Sequence, residues 1–139
     1  GEGAPASKDK RRQADAARVI VDTSVWVDHF LTPSGALTGA LDDGSARGHE
    51  MVVGELALGS LRRREAVVAY VSVLERAPLA TGDEVRRLIE VHRLWGRGLS
   101  LVDVHLLASA RIGGLGILTN DRGLLAAAHA LGIWAEPTR

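Results

Sequence analysis

The sequence predicts an α/β fold in which helices cover a mostly parallel sheet. Two observations lead to it. Short β-branched or apolar runs alternate with longer stretches of helical period, and the two best runs, Val19-Ile20-Val21 and Gly116-Ile117-Leu118-Thr119, end in helix-starting residues. Strands separated by helices are the pattern of a parallel sheet with crossover helices.

The elements follow in order. Val19 to Val21 predicts a buried strand that ends at Asp22, with Thr23-Ser24 supplying helix N-cap chemistry for a helix to about Leu31. Pro33-Ser34 start a second helix that ends near Asp43-Gly44. Met51 to Leu61 is mainly apolar and predicts a helix, and Arg64 to Arg76 a longer amphipathic one. Pro78-Leu79-Ala80 predicts a short strand. Thr81 and Glu84 have capping-box spacing for a helix reaching Trp95, and Ser100 and Asp103 repeat it before the apolar run Val104 to Ile112. Gly116 to Thr119 is the second central strand, a helix covers Asp121 to Leu131, and Ile133-Trp134-Ala135 is a last strand. Residues 1–18 are polar, with no strand period, and are expected to be a disordered arm, a linker or a cloning remnant. Residues 19–139 then form one domain.

Composition removes several classes of function. The chain has no cysteine, which excludes disulfides, zinc–thiolate sites and thiol nucleophiles and fits a cytoplasmic protein. No apolar run approaches the roughly 18–20 residues of a membrane helix, and the first residues lack the apolar core of a signal peptide. The formal net charge is zero, so no global field draws the protein to nucleic acid. Distribution says more. Lys8 and Lys10 are the only lysines, and from Val19 onward every basic residue is Arg or His. Arginine pairs bidentately with phosphate, although codon bias alone also produces such a preference.

Four acids stand apart from the rest. Most carboxylates after position 18 sit in polar company, as in Asp42-Asp43 or Asp83-Glu84. Asp22 instead closes Val-Ile-Val, Glu55 is the only charge in Met51 to Leu61, Asp103 interrupts Leu99 to Ala110, and Asp121 follows Ile-Leu-Thr-Asn. Carboxylates are rarely buried unless something pairs with them or is bound by them. Taken singly, Asp22 and Asp121 are caps or turn residues and Asp103 is the third residue of a capping box. Together the four suggest one shared partner, a divalent cation. Oxygen donors suit Mg²⁺ or Mn²⁺ far better than zinc. Asp22 and Asp121 fall just past strand ends, the edge where open parallel sheets bind ligands. A cation there supports phosphodiester hydrolysis by polarising a phosphoryl oxygen and activating a water.

At this point the residues resemble a known family. Val-Asp-Thr-Ser-Val-Trp (Val21 to Trp26), Val-Val-Gly-Glu-Leu (Val52 to Leu56), Val-Asp-Val-His-Leu-Leu-Ala-Ser-Ala (Val102 to Ala110) and Leu-Thr-Asn-Asp-Arg (Leu118 to Arg122) look like the successive motifs of PIN domains. The nearest likeness is to VapC-type toxins, and it covers Val19 to Glu136 with order and spacing kept. The resemblance implies a PIN-like α/β/α sandwich and an acidic pocket for Mg²⁺ or Mn²⁺ that cleaves RNA endonucleolytically. It places the family's metal and catalytic acids at Asp22, Glu55, Asp103 and Asp121, and its hydroxyl positions at Ser24 and Thr119, with Asn120 less securely matched. It also implies a homodimer and a cognate antitoxin whose tail enters the acidic groove.

The other conspicuous residues carry weaker expectations. Arg62-Arg63-Arg64, Arg93, Arg97, Arg111 and Arg122 are candidates for RNA phosphates or antitoxin contacts around an acidic pocket that would itself repel RNA. His105 is expected to be packed or hydrogen-bonded, Asp28 to serve a structural or rim role, and Trp26, Trp95 and Trp134 to lie in the core. A phosphorelay receiver would need an acidic pair after the first strand and a late lysine; Val21 precedes Asp22 and no lysine follows Lys10. A haloacid-dehalogenase phosphatase would need an aspartate where Ser24 stands. The remaining alternative is a non-catalytic PIN module that binds RNA or protein, which the presence of all four acids disfavours.

Overall fold

The computed structural model describes residues 18–139. Positions 1–17 of the expected arm lie outside the described residues. The chain forms β1 (Val19–Val21), α1 (Thr23–Leu31), α2 (Gly35–Asp42), β2 (Ala46–Arg47), α3 (Glu50–Leu58), α4 (Arg64–Ser72), α5 (Gly82–His92), α6 (Leu101–Gly113), β3 (Gly116–Leu118), α7 (Arg122–Ala130) and β4 (Ala135–Glu136).

The four strands make one sheet in the order β2-β1-β3-β4. Every pairing is parallel, with Val21 opposite Leu118 at the centre and Leu118 opposite Glu136 at the edge. Val19, Ile20, Val21, Ile117 and Leu118 are all buried, as expected of strands covered on both faces by helices. Helix α6 packs on β1 and β3, α2 on β2, and α7 on β4. From β1 the chain moves outward to β2 and then returns to place β3 on the other side of β1. The direction of winding therefore reverses between β1 and β3. A crevice opens at such a reversal, outside the carboxyl ends of the two strands.

Several expectations need correction. No strand forms at Pro78 to Ala80. The sheet edge instead takes its extra bridge between Gly48 and Arg76, with the Ala77 amide donating to the Gly48 carbonyl at 2.9 Å. This recruitment of Glu75 and Arg76 ends α4 at Ser72 rather than Arg76. The last strand is Ala135–Glu136, because the Ile133 amide is spent on the Ala128 carbonyl at the end of α7 (2.9 Å). Helix α5 ends at His92, where Arg93 turns left-handed (φ 51°) and the Leu94 amide donates to the Ile89 carbonyl at 3.0 Å. Trp26 is core as expected, but Trp95 is 60% and Trp134 41% exposed. Among the described residues no helix is long and apolar enough to cross a membrane.

Candidate active site

Three of the four singled-out acids sit at helix N-termini around the β1/β3 crevice. Asp22 is the N-cap of α1, Asp121 the N-cap of α7, and Asp103 the third residue of α6. Each helix presents its unpaired amides and positive dipole end there, which favours a carboxylate. The amide of Asp22 donates to the Leu118 carbonyl at 3.0 Å, so the central strand pair fixes its backbone.

Asp22 is the most tightly held. It is 5% exposed, and its side chain does not cap its own helix. The hydroxyls of Ser24 (2.7 Å) and Thr119 (2.8 Å) both donate to its Oδ2 instead. The expected N-cap role of Thr23 and Ser24 is therefore corrected: their hydroxyls serve carboxylates. Ser24 Oγ also accepts the Asn120 amide at 3.1 Å, and Thr119 Oγ1 accepts the Asp121 amide at 3.0 Å. Two hydroxyls thus lock the loop after β1 to the loop after β3. The side chain of Asp121 accepts from the Leu124 amide at 2.9 Å.

Asp103 satisfies both readings of its position. Its carboxylate accepts the Ser100 amide at 3.0 Å while Ser100 Oγ accepts the Asp103 amide at 3.1 Å, a complete capping box. The same carboxyl titrates above the ordinary range. Burial is the main cause, the charges of Asp121 and Asp22 add to it, and the hydrogen bonds from Ser100 oppose it. Asp103 therefore feels both other acids. Glu55, on α3, reaches this end by accepting a hydrogen bond from Thr23 Oγ1 at 2.7 Å; it is not among the charges acting on Asp103. Thr23, expected from the sequence to cap the helix, holds Glu55 instead.

The ion pairs of the described residues join Arg47 to Glu75, Arg76 to Glu50, Arg86 to Asp83 and Arg139 to Asp28. None involves Asp22, Glu55, Asp103 or Asp121. The donor set is all oxygen and suits a hard cation. No three His, Asp or Glu side chains among the described residues stand close enough to hold an ion by themselves. A hard cation bound by so few carboxylates would keep waters in its shell.

Of the remaining candidates, the Asn120 side chain is taken up by Asp28 (2.7 Å) and Thr138 (2.9 Å). Asp28 also pairs with Arg139 at 2.9 Å, a structural role. His105 packs on α6 with its Nδ1 buried and without a hydrogen-bond partner among the described residues. Arg111 contacts His92 Nε2 at 3.0 Å. Arg62 and Arg63 border an apolar cleft of about 750 Å³ between α1, α2 and α4, walled by Trp26, Phe30, Leu31, Leu41 and Tyr70. One buried pair leaves no mark in the sequence. His49, the N-cap of α3, accepts the Met51 amide at Nδ1 (3.0 Å). That leaves Nε2 to donate to Ser109 Oγ on α6 at 2.8 Å. Burial first, then His105 and Arg76, push the His49 imidazole down to about 4.

An open parallel sheet with carboxylates gathered at its winding reversal is the architecture of an α/β protein that handles a cation or phosphate at its strand ends. The PIN domain model matches residues 19–130, and the chain belongs to the PIN-domain family. Within that family it is similar to Ribonuclease VapC32 of Mycobacterium tuberculosis. In two strains the identity is 43% over 116 residues, covering 83% of this chain and 94% of the relative. Among solved structures it is similar to PAE2754 from Pyrobaculum aerophilum, with a TM-score of 0.53 and 21% identity. That match covers 80% of this chain and 81% of the other, and at this identity it speaks to the fold alone.

Proposed function

We propose that the protein is a Mg²⁺- or Mn²⁺-dependent endoribonuclease acting as the toxin of a cytoplasmic toxin–antitoxin pair. The observation that carries the reading is the convergence of Asp22, Asp103 and Asp121 at three helix N-termini, where burial first and then the charges of Asp121 and Asp22 raise Asp103. The 43% identity to VapC32 supports the choice of RNA as substrate. Asp22, Asp103 and Asp121 would hold the cation in part through its bound waters, with Glu55 at the rim. When bound, the cation polarises the scissile phosphoryl group and makes a water nucleophilic near neutral pH. The chain's own work is positioning. Ser24 and Thr119 fix one oxygen of Asp22, and the helix termini of α6 and α7 fix Asp103 and Asp121. Arginines at the rim, Arg122 next to Asp121 among them, hold the phosphate backbone.

The apolar cleft between α1, α2 and α4 is our candidate seat for an antitoxin segment. An antitoxin arginine reaching the acid cluster would neutralise it. We take the active form to be a homodimer.

Purified protein should cut a structured RNA with Mg²⁺ or Mn²⁺ and stop in EDTA. Asp22→Asn should lose more than the roughly 10–100-fold typical of a group that only supports a metal ligand. Full activity in EDTA refutes the metal mechanism, and undiminished cleavage by Asp22→Asn refutes the residue assignment. RNA binding without cleavage would leave a non-catalytic PIN module.

A further inference from the structure

The loop between α5 and α6 carries a feature that the reading above leaves unused. Arg93 (φ 51°), Gly96 (φ 71°) and Gly98 (φ 73°) all lie in the left-handed region. Arg93 has the only positive φ of any described residue other than glycine. Side-chain-bearing residues resist this conformation, so the two glycines fix a defined loop shape. Leu94 is buried and Leu99 packs against the core, anchoring both ends. Between them Trp95 is 60% exposed. A large indole displayed on an anchored loop is more telling than an isolated surface leucine.

The loop's location gives the exposure meaning. It runs directly into Ser100 and the α6 terminus that holds Asp103. A Cβ at Gly123 would stand 3.3 Å from Asp121 Oδ1 and 3.9 Å from the Arg97 carbonyl oxygen. The loop therefore abuts the first turn of α7 beside the acid cluster. The other two tryptophans are placed differently. Trp26 is buried, and the ring of Trp134 covers Gly116, where β3 enters the sheet at the end opposite the acids. The guanidinium groups of Arg93 and Arg97 are absent from the ion pairs of the described residues, and both residues are exposed.

We infer that residues 93–99 form a substrate lip that takes an unpaired nucleotide of single-stranded RNA, its base stacked on Trp95 and its phosphate held by Arg97. The inference rests on the ribonuclease reading for its ligand. An exposed aromatic beside cations is the usual device for single-stranded nucleic acid, because every base offers a π-face while a paired base does not. An acid cluster repels phosphate, so the strand needs a neighbouring anchor to reach it. The lip thus selects loops and single strands over duplex without reading sequence.

The test is binding in EDTA, with no cleavage. A fluorescein-labelled single-stranded oligoribonucleotide, the same strand in a duplex, and a version with abasic positions are titrated with the full-length protein and followed by anisotropy. Trp95→Ala should weaken single-strand binding about 5- to 100-fold, Trp95→Phe should retain most of it, and the abasic strand should bind wild type as poorly as the intact strand binds Trp95→Ala. Arg97→Gln should weaken single strand and duplex alike and reduce the salt slope by about one. Equal affinities for wild type and Trp95→Ala, duplex binding as tight as single-strand binding, or no RNA binding by wild type would each overturn the lip. So would a Trp95→Ala protein that sediments as a smaller species with RNA affinity intact, which would make the patch a self-association surface. Cleavage with Mn²⁺ is scored separately: Trp95-dependent binding without cutting refutes the nuclease reading alone, and cutting unaffected by Trp95→Ala refutes the lip alone.

Discussion

Acid should loosen this fold through His49, and the size of the effect follows from its contacts. The imidazole is fully buried. Its Nδ1 must stay unprotonated to accept the Met51 amide, and its Nε2–H holds Ser109. Protonation therefore costs the α3 cap as well as burying a charge. The group titrates at about 4 in the folded chain against 6.5 free. A depressed folded value means that the unfolded chain binds the proton first. The stability linked to His49 is fully present above 6.5 and drains away as pH falls toward 4. At about 1.4 kcal/mol per pH unit, the ceiling is about 3 kcal/mol. Asp103 titrates in the opposite sense, its raised carboxyl favouring the folded state as it protonates, so the wild-type curve alone does not isolate His49. His49→Asn does: its side-chain oxygen can still cap α3, but nothing titrates. Urea unfolding of both proteins at half-unit steps from pH 7 to 4 gives two stability curves. The variant starts lower, because Ser109 loses its buried partner, by about 1–3 kcal/mol. Its curve should be flatter, so the gap closes as pH falls. Parallel curves across that window would refute the argument.

Two further outcomes follow from the acid cluster and the cleft. Asp103→Asn keeps a capping oxygen for the Ser100 amide and removes a half-buried charge that Asp121 and Asp22 disfavour. Its melting temperature in EDTA should match or exceed wild type, and its Mn²⁺-induced rise should shrink; a saturating cation is worth about 2.7 kcal/mol at a hundredfold excess over its dissociation constant. A full-sized Mn²⁺ shift in a destabilised Asp103→Asn protein would remove Asp103 from the site. Co-expression with the product of the reading frame immediately upstream should give a stable complex with suppressed nuclease activity, weakened by Tyr70→Asp in the cleft. Separate elution with unaltered cleavage would count against the antitoxin seat.

The central half of the fold was legible because β1 and β3 are buried on both faces and so carry unbroken apolar runs, with Asp22 directly after one and Asp121 three positions after the other. The edge was not. β2 is Ala46–Arg47, two residues with a buried arginine whose guanidinium reaches the Gly44 carbonyl at 2.8 Å and Glu75 at 3.3 Å. No strand period exists over two residues, and arginine argues for the surface. For Trp95 and Trp134, bulk and apolarity suggest a core, but loop shape and a glycine neighbour decide where each ring lies. Asp22, Asp103 and Asp121 stood out because each interrupts apolar company at a helix start. Capping and clustering looked like rivals for Asp103, and the one carboxylate does both. His49 carried no signal, since Gly-His-Glu has no period and its partner Ser109 lies 60 positions away.

The lock between Asp22 and Thr119 joins positions 97 apart in the chain. β1 has its central neighbour, and Asp22 its second hydroxyl, only once β3 has arrived. During synthesis the first acid is made early and waits through six helices for the strand that completes its surroundings. A polypeptide that stops before Gly116 holds Asp22, Glu55 and Asp103 but neither Thr119 nor Asp121. Under the proposed mechanism such a chain would lack one acid of the site and the second hydroxyl that fixes Asp22, so it would carry no complete site.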